Sequence, residues 1–485
     1  MHTVESIYQQ RKLLMEIVHV SAECYPVAKA GGLGDVVGAL PKYQTKAGHY
    51  AKVVMPMYKT KFLYENDWIV DAKGQTNMGN WFFEYTVIKE STNKLGFDLF
   101  LIDIHGLTDR EKIYGYDDDV ERFTAFQIAL VHWLSRWEHK PDVVHCHDHH
   151  TALIPFMLQH CYQYRWMNDI PTVLTIHNAQ YQGWMGWDKN YYIPAYDTWK
   201  SGLLEWGDAI NPLASGIKCA WKVTTVSWSY LEELRSNANG LEALFEYEKG
   251  KCSGILNGVD YEVWNPKTDA MLYSKFTPKT VTAGKNKNKK AFCNEFGLDA
   301  DKPLAVFIGR LVGEKAADIL PDAISASIYA TDGSINFFIL GSGDPAVEAR
   351  LNDLKNHFAN HYNCFIGYDE ALSHKLYAAA DFLLMPSRVE PCGLNQMYAM
   401  RYGTVPMVRS TGGLIDTVTD MGDWEGFGIR FNHASVADVV YSVQRAVSVY
   451  NDKKHMLWMR QRMMSIDHSW ESTVQQYIDM YQGLK

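Results

Sequence analysis

Two glycine-rich turns lie in opposite halves of the chain, each directly after an apolar run that is typical of a buried strand. The first, KAGGLGD at residues 29–35, follows residues 17–20, and the second, STGGL at residues 410–414, follows residues 405–408. Glycines at such turns let backbone N–H groups approach a ligand closely, and the N-terminus of a following helix favours an anion. Two such turns predict two phosphate-compatible domains that contribute to one ligand site.

Charged side chains follow two other apolar runs. Arg310 and Lys315 come directly after residues 304–308, where the carboxyl end of a strand opens toward a ligand. Two fixed cations there would neutralise a diphosphate leaving group. Surface ion pairs, for example with Glu314, are the alternative, and the strand-end position favours the functional interpretation. The second apolar run is residues 382–385, and Glu390 follows it. Two roles stay open for Glu390: a helix cap, or an acceptor of hydrogen bonds from sugar hydroxyls.

A histidine cluster, HCHDHH at residues 145–150, resembles the HxHxDH pattern of metallo-hydrolases, but its Asp148 comes one position too early. Alternate residues of a strand point to opposite faces, and no second ligand set of suitable spacing follows. We therefore expect no metal, and we expect Asp148 at the end of a strand with the histidines packed around it. His177 ends a similar strand at residues 172–176, and structural and substrate-contact roles are equally open for it.

The bulk properties limit the function classes. A chain of 485 residues is long enough for two or three domains, and 47% hydrophobic residues are typical of a globular protein. The net charge of −9 argues against general binding to nucleic acid or to a membrane surface. Eight cysteines form no CxxC pair, residues 1–14 lack the cationic start and apolar core typical of a signal peptide, and no long apolar stretch follows. We expect a cytoplasmic protein.

Apolar runs alternate with helical patterns along most of the chain, which predicts parallel, doubly wound α/β sheets. The predicted strands cover residues 16–21, 52–55, 97–102, 142–146, 172–176, 223–226, 304–308, 336–340, 364–366, 382–385 and 405–408. The predicted helices cover residues 33–47, 316–330, 344–360, 395–402 and 470–481. We expect the domains to join between residues 259 and 282, and we interpret the cationic run 285–290 as a solvated loop or helix face before a helix that resumes near Ala291.

Taken together and in this order, the motifs resemble those of the bacterial glycogen synthases and plant starch synthases. The resemblance runs from Glu16 to the C-terminus and rests on the sequences KAGGLGDV at 29–36, the Asp148 segment, TIHN at 175–178, GILNGVD at 254–260, GRL at 309–311, EPCGLNQ at 390–396 and STGGL at 410–414. No single motif is specific, whereas the ordered set is highly specific.

The resemblance implies a GT-B fold, in which two Rossmann-like doubly wound parallel-sheet domains face a deep cleft. It gives an N-terminal acceptor domain over residues 1–258, a nucleotide-sugar domain over 259–455, and C-terminal helices over 456–485 that pack back on the first domain. The implied reaction is retaining transfer of glucose from a nucleotide-glucose to the non-reducing end of an α-1,4-glucan, with ADP-glucose favoured as the donor and UDP-glucose left open. No metal or other cofactor is implied.

The resemblance also assigns roles to residues of this sequence. Glu390, Asp148, His177, Arg310 and Lys315 would act at the transferred glucose and its diphosphate. The predicted substrate-binding residues are Lys29, Gly32, Asn257, Tyr368, Cys392, Gly393, Leu394, Thr411, Gly412 and Gly413. Among them, Lys29 and backbone donors near 411–414 would hold the phosphates, Asn257 would contact the glucose, and Tyr368 would lie beside the adenine.

Three positions depart from the pattern of the family: His149 stands where tryptophan is usual, Ala316 where glycine is usual, and Tyr398 where many related transferases carry a second glutamate. None removes a charge from the predicted site. A glycosidase-type carboxylate pair is not obvious, and Glu390 with Asp148 is an unproven candidate. The alternatives from other classes are a non-catalytic glucan-binding or regulatory protein on the same fold, and a metal-dependent hydrolase built on the histidine cluster.

Overall fold

The computed structural model describes residues 14–484, which form two compact units. The first unit contains the described residues up to Val226, together with Leu231–Ile255 and the C-terminal segment from Trp470. The second contains Ser227–Tyr230 and Leu256–Ser469. Within the described residues, no helix combines the length and the apolar character needed to cross a membrane.

The first unit is built on a nine-stranded sheet in the order β11-β10-β7-β6-β1-β2-β5-β4-β3. Its strands are β1 (Glu16–Val20), β2 (Tyr50–Pro56), β3 (Trp68–Met78), β4 (Trp81–Glu90), β5 (Asp98–Asp103), β6 (Val143–His147), β7 (Thr172–Ile176), β10 (Lys222–Thr225) and β11 (Cys252–Gly254). All neighbouring pairs are parallel except β3 with β4 and β4 with β5. A separate small hairpin joins β8 (Glu205–Trp206) and β9 (Ala209–Ile210).

The second unit is built on a six-stranded, wholly parallel sheet in the order β14-β13-β12-β15-β16-β17. Its strands are β12 (Leu304–Ile308), β13 (Asn336–Gly341), β14 (Tyr362–Ile366), β15 (Phe382–Met385), β16 (Val405–Arg409) and β17 (Ile429–Phe431). The central strands are buried on both faces, which explains their continuous apolar sequences. The predicted pair of Rossmann-like, doubly wound domains is confirmed.

Helices alternate with the strands in both units. They span Gly32–Lys46, Lys61–Tyr64, Asp119–Leu134, Ile154–His160, Pro212–Cys219, Trp228–Leu234, Glu242–Tyr247, Val281–Phe296, Leu320–Ala330, Pro345–His357, Glu370–Ala379, Asn395–Arg401, Gly413–Thr417, Val436–Asn451, Lys453–Met464 and Trp470–Gln482. The last helix packs on the helix Gly32–Lys46 through a shared apolar cluster of the first unit that includes Val36, Leu40 and Tyr477.

Each predicted strand is present within two residues at either end, but the antiparallel hairpin of β3 and β4 was not predicted. Most of β3 is exposed, so its sequence lacks the continuous apolar run by which the buried strands were found. The short edge strands β11 and β17 were missed as well, because three residues give no periodic pattern.

The interpretation of residues 285–290 as a solvated loop or helix face holds for Lys287 and Lys290, which are exposed on the helix Val281–Phe296, but was wrong for Lys285 and Lys289. The ammonium group of Lys285 is buried and donates to the carbonyls of Tyr377, Ala378 and Tyr402, and burial holds its pKa well below the usual value. Lys289 is also buried and pairs with the carboxylate of Asp381, which directly precedes β15. Composition alone could not reveal these partners, since they come from distant parts of the sequence.

Each sheet has a topological switch point, where the chain leaves one central strand in two directions. In the first sheet β1 lies between β2 and β6, and in the second sheet β12 lies between β13 and β15. Ligands of open α/β sheets bind beyond the carboxyl ends of the strands at such points. A ligand site is therefore expected among the residues that follow β1, β6, β12 and β15.

Candidate active site

Asp148 follows β6 directly and has a positive φ of 57°. Its Oδ1 accepts a hydrogen bond from the backbone N–H of His177 at 2.7 Å and lies 3.5 Å from that of Asn178. Burial raises the pKa of Asp148 to about 7, with a smaller contribution from the charge of Glu23, against the opposing effect of the two backbone donors. A carboxyl group with such a pKa can exchange a proton near neutral pH.

His177 follows β7, and its backbone places it beside Asp148. Its side chain is 8% exposed, and its Nε2 lies 3.0 Å from Nδ1 of His147. Burial lowers the pKa of His177 to about 3, so the imidazole is neutral at physiological pH. The structure thus brings these two predicted residues together at the carboxyl edge of the first sheet.

Of the remaining histidines of the cluster, His145, His147 and His150 are buried and His149 is partly buried. His149 and His150 pack ring on ring at 3.6 Å, and His150 also packs on Tyr114. His145 and His147 point to the face of the sheet that also carries His19 of β1. The sequence pattern could not include His19, because it is more than a hundred residues away along the chain.

Among the described residues, His19, His145 and His147 form a group that could hold a metal ion, with ligand atoms within 4.8 Å of one another. However, every ring nitrogen of these three histidines already lies within hydrogen-bond distance of a protein atom. His19 contacts His147 and Gln44, and His145 contacts Tyr481 and Thr175. A metal would have to displace these contacts, so the donor set does not favour one.

Glu23 is a residue that the sequence analysis missed. It is buried, and its Oε2 accepts hydrogen bonds from the backbone N–H groups of Ala30 and Gly31 at 2.6 and 2.9 Å, while Oε1 accepts one from the hydroxyl of Tyr114. The glycine-rich turn after β1 thus already holds an internal carboxylate. A carboxylate three residues beyond the end of β1 was a signal that could have drawn attention to it.

Lys29 and Gly32 lie on the surface of this turn. The ammonium group of Lys29 pairs with Asp35 at 2.7 Å and lies 5.5 Å from the ring centroid of Tyr25. A side chain added at Gly32 would meet no atom within 4 Å, so the turn leaves open space there. This pair of predicted substrate-binding residues is accessible to a ligand.

In the second unit, Lys315 and Glu390 meet across the switch point between β12 and β15. The Lys315 ammonium donates to both carboxylate oxygens of Glu390 at 2.7 Å, and the hydroxyl of Ser387 donates to Oε2 at 2.9 Å. The Glu390 side chain is 8% exposed, whereas that of Lys315 is 23% exposed. The buried carboxylate therefore holds a cation at the carboxyl edge of the sheet.

The two loops that carry this pair are tied together by their backbones. The carbonyl of Glu314 accepts hydrogen bonds from the N–H groups of Arg388 and Val389. The guanidinium of Arg388 also reaches the carbonyl of Gly313 and pairs with Asp318. Arg310 remains exposed, with Glu314 3.3 Å away. A diphosphate could therefore recruit the Arg310 side chain without breaking a buried contact.

Ala316 follows Lys315 with a φ of 52°, the left-handed conformation that favours glycine. This conformation, together with a short 3₁₀ segment at Ala317–Ile319, explains why the helix begins at Leu320 and not at Ala316 as predicted. The usual glycine of the family would adopt the same backbone without strain.

The second glycine-rich turn packs closely on the loop that carries Glu390. A Cβ added at Gly412 would lie 2.1 Å from the carbonyl oxygen of Glu390, and one at Gly413 would lie 2.2 Å from that of Cys392. The N–H of Gly413 lies 3.1 Å from the carbonyls of both Glu390 and Pro391, and the N–H of Leu414 bonds to Thr411. In this conformation these two donors are engaged within the protein.

Other predicted residues of the second unit surround this loop. Asn257 donates its backbone N–H to the thiol of Cys392, and its buried Oδ1 has no hydrogen-bond partner among the described residues. Burial raises the pKa of Cys392 to about 12, so the thiol stays protonated. Gly393 has a positive φ of 72°, and Leu394 precedes the helix Asn395–Arg401. An unpartnered buried amide oxygen is a group that a ligand hydroxyl can satisfy.

The last two predicted residues of the second unit differ in their exposure to solvent. Tyr368 follows β14 and is 79% exposed, with its hydroxyl bonded to Glu370. Thr411 is buried in the turn after β16. The structure therefore groups Asp148, His177, Lys29 and Gly32 on the first unit and the other predicted residues on the second.

Comparison with known proteins supplies the family. The model of the starch synthase catalytic domain matches residues 16–247, and that of the glycosyl transferases group 1 matches residues 288–455. The chain is similar to a glycogen synthase of Flavobacterium johnsoniae, with 53% identity over 96% of this chain and 98% of the relative. It is also similar to a glycogen synthase of Streptococcus pneumoniae, with 36% identity over 97% of this chain and the whole relative.

Solved structures agree with this similarity. The catalytic domain of starch synthase IV from Arabidopsis thaliana, bound to ADP and acarbose, has a TM-score of 0.87 and 32% identity and covers 97% of this chain and 99% of its own. A sucrose-phosphate synthase from Thermosynechococcus elongatus has a TM-score of 0.60 at 18% identity over 96% of this chain and 98% of its own, which shows the fold alone.

Proposed function

Because the chain belongs to the glycogen and starch synthase family of GT-B glycosyltransferases, we propose that it transfers glucose from ADP-glucose to the non-reducing end of an α-1,4-glucan with retention of configuration. The full-length relatives of known name support a hexosyltransferase. The ADP bound to the starch synthase of Arabidopsis thaliana supports an adenine nucleotide as donor, and its acarbose supports a glucan as acceptor.

The observation that carries the proposal is the contact between Lys315 and Glu390 at the switch point of the second sheet. Cleavage of the glucosyl bond leaves negative charge on the departing diphosphate. A cation that is fixed before the reaction stabilises this charge in the transition state without reorganisation. Glu390 supplies that fixation, and Arg310 adds a second, more mobile cation.

The first unit supplies the polar groups that we assign to the transferred sugar. Asp148 and His177 lie side by side at the carboxyl edge of its sheet, and Lys29 is exposed on the turn after β1. In this proposal Lys29 contacts the diphosphate, while Asp148 and His177 contact the glucose. Asn257 contributes its unpartnered amide oxygen from the second unit.

We further propose that the reaction needs no metal and takes place in the cytoplasm. The hydrogen bonds on each ring nitrogen of His19, His145 and His147 support the first point. The second is supported by the eight cysteines, all of which are buried free thiols, as expected in a reducing compartment.

The test is incorporation of radiolabelled glucose into glycogen from ADP-glucose and from UDP-glucose, in the presence of a chelator. We expect incorporation with ADP-glucose preferred in direct competition. Failure of both donors with a folded protein would overturn the proposal, and loss of activity on chelation would overturn its metal-free part.

The variant Lys315→Ala should lower turnover by about two to three decades, because it removes one charge contact to the leaving group. Since it also leaves the buried Glu390 unpaired, Arg310→Ala serves as a second variant that disturbs no buried contact. Arg350→Ala is the matched control: this arginine also pairs with a carboxylate, that of Asp322, but the pair is exposed and joins two helices. Activity equal to that of the control would remove Lys315 and Arg310 from the site.

A further inference from the structure

A line of buried hydrogen bonds leads to the side chain of His177 from a helix on the same unit. Oε1 of Gln44, in the helix Gly32–Lys46, lies 2.7 Å from Nε2 of His19. Nδ1 of His19 lies 3.1 Å from Nε2 of His147, and Nδ1 of His147 lies 3.0 Å from Nε2 of His177. The side chains of Gln44, His19 and His147 are completely buried, so no water competes for these contacts.

The line continues on the other side of Gln44. The amide Nε2 of Gln44 donates to the hydroxyl of Tyr481 at 3.3 Å, and this hydroxyl lies 2.6 Å from Nδ1 of His145. Nε2 of His145 lies 2.6 Å from the hydroxyl of Thr175, which lies 2.6 Å from that of Thr224. The C-terminal helix Trp470–Gln482 therefore takes part in the line through Tyr481.

The neighbours along the line are set by the sheet itself. His19 pairs in register with His145, His147 with Thr175, and Thr175 with Thr224. Residues directly opposite one another on neighbouring strands point to the same face. One face of the sheet thus carries a polar stripe, and Gln44 and Tyr481 come from the helices that cover it.

All the histidines in the line are neutral near pH 7. Burial lowers the pKa of His19 to about 4 and that of His177 to about 3, and it holds the pKa values of His145 and His147 well below the usual value. A neutral imidazole has one N–H donor and one bare nitrogen that accepts. The position of one proton therefore dictates the position of the next along the whole line.

The orientation of the Gln44 amide determines which nitrogen of each histidine carries the proton. Since Oε1 can only accept, Nε2 of His19 carries the proton and Nδ1 of His19 is bare. Nε2 of His147 must then donate to His19, and Nε2 of His177 must donate to Nδ1 of His147. Nδ1 of His177 is left as a bare acceptor, and no hydrogen bond within residues 14–484 reaches it.

We propose that Gln44 and Tyr481 are positioning residues that fix His177 as its Nε2–H tautomer, so that its bare Nδ1 accepts a hydrogen bond from a hydroxyl of the bound sugar. The last step rests on the proposed function, whereas the tautomer itself does not. A neutral nitrogen that only accepts recognises a hydroxyl as a donor and rejects groups that cannot donate.

The direct test is nitrogen NMR of protein labelled with ¹⁵N-histidine, with the His177 signals identified by their loss in His177→Gln. The expected spectrum of the wild-type protein without substrate shows a protonated Nε2 and an unprotonated Nδ1 for His177. A protonated Nδ1 would overturn the proposal. Stoichiometric zinc bound through His19, His145 and His147 would also overturn it, because the metal would occupy ring nitrogens whose hydrogen bonds fix the tautomers.

Three variants distinguish a role in fixing the His177 tautomer from a role in packing alone. Gln44→Leu and Tyr481→Phe each interrupt the line of hydrogen bonds and should give a mixture of both His177 tautomers. Gln44→Glu should reverse the order and leave His177 as its Nδ1–H tautomer, because a carboxylate beside Nε2 favours a charged His19, whose Nδ1–H then donates to Nε2 of His147. A purely structural role predicts lower stability in these variants with the Nε2–H tautomer of His177 unchanged. Tyr85→Phe is the matched control, because Tyr85 also contacts a histidine Nδ1, that of His132, at 2.7 Å but lies outside the line.

The kinetic readout follows from the tautomer populations. Equal populations leave half of the molecules competent, so kcat/KM of Gln44→Leu and of Tyr481→Phe should fall about twofold, and Gln44→Glu, which favours the other tautomer, should lose more activity than Gln44→Leu. An inactive wild-type protein with the expected tautomer would refute the proposed function and leave the tautomer assignment standing. An active protein with the opposite tautomer would refute this inference alone.

Discussion

The two units bury histidines in contrasting ways. In the first unit, His19, His145, His147 and His177 contact one another, hydroxyl groups and an amide, and burial depresses their pKa values. In the second unit, His374 is equally buried but its Nδ1 lies 2.7 Å from a carboxylate oxygen of Asp269.

The surroundings of His374 favour its charged form. Burial alone would lower its pKa, but the hydrogen bond to Asp269, together with the nearby Glu370, outweighs burial and raises the pKa to about 9. Its ring stacks on Trp264 at 4.0 Å, and Tyr398 stacks on the other face of the same indole at 3.9 Å. Tyr398, which stands where many related transferases carry a glutamate, thus packs on the indole that stacks on His374.

The contrast teaches that the partner, and not burial, decides the charge of a buried histidine. A carboxylate stabilises the imidazolium, whereas another imidazole or an amide does not. The first unit gains a line of ordered, neutral hydrogen bonds, and the second gains a fixed charge. The two arrangements must therefore respond in opposite directions to a change of pH.

The largest effect is expected on acidification. Each histidine of the line has a folded pKa below its unfolded value of about 6.5, so unfolding takes up protons and the line stabilises the protein fully only above that pH. The free energy of unfolding should fall as the pH drops from about 6.5 toward about 4, by about 3 kcal/mol for His19 alone. Urea titrations across this range measure the loss.

His19→Gln provides the comparison for this acid response. It should show a shallower fall of the free energy of unfolding over the same pH range, because one proton fewer is taken up on unfolding. Equal slopes in the variant and the wild-type protein would mean that His19 is not held neutral by burial, and the contrast between the units would then fail.

The next effect concerns the buried ion pair. Asp269→Ala should lower the free energy of unfolding by about 3–5 kcal/mol, because it leaves His374 and the hydroxyl of Tyr402 without their carboxylate partner. The matched control is Asp353→Ala, which breaks the exposed pair of Asp353 with His357 and should cost no more than about 1 kcal/mol. Similar losses in the two variants would show that burial of the pair does not matter.

The smallest effect is expected at alkaline pH. The folded pKa of His374 lies above its unfolded value, so the pair stabilises the protein fully below about pH 6.5 and this stability is lost as the pH rises through about 9. The loss should amount to about 3 kcal/mol, and it should be absent in His374→Gln. Guanidinium titrations at both ends of this range measure it, and a pH-independent wild-type protein would contradict the assigned charge.

Much of the fold could be predicted, because buried parallel strands leave continuous apolar runs such as β12 and β15 in the sequence. The exposed β3 and the buried Lys285 were not predictable, since an exposed strand has no such run and a lysine gives no sign of carbonyl partners that lie about a hundred residues away. The beginning of the helix at Leu320 depended on the backbone angle of Ala316, which its residue type does not reveal.

The candidate site divides in the same way. The motifs identified Lys315, Glu390, Asp148 and His177, whose catalytic roles remain predictions, because each stands beyond the carboxyl end of a strand that the sequence marks clearly. Their contacts could not be predicted, because nothing in the sequence joins Lys315 to Glu390. The position of Glu23 was only a weak signal of its role.

The sequence by itself determined the alternation of strands and helices, the family, and the residue types at the strand ends, since these depend on local pattern and motif order. Only the tertiary structure decided which buried groups meet. Parallel register places His19, His145, His147 and Thr175 on one face, and two helices distant in sequence bring Gln44 and Tyr481 to them. The charge of a buried group depends on such partners, and those partners are distant in sequence.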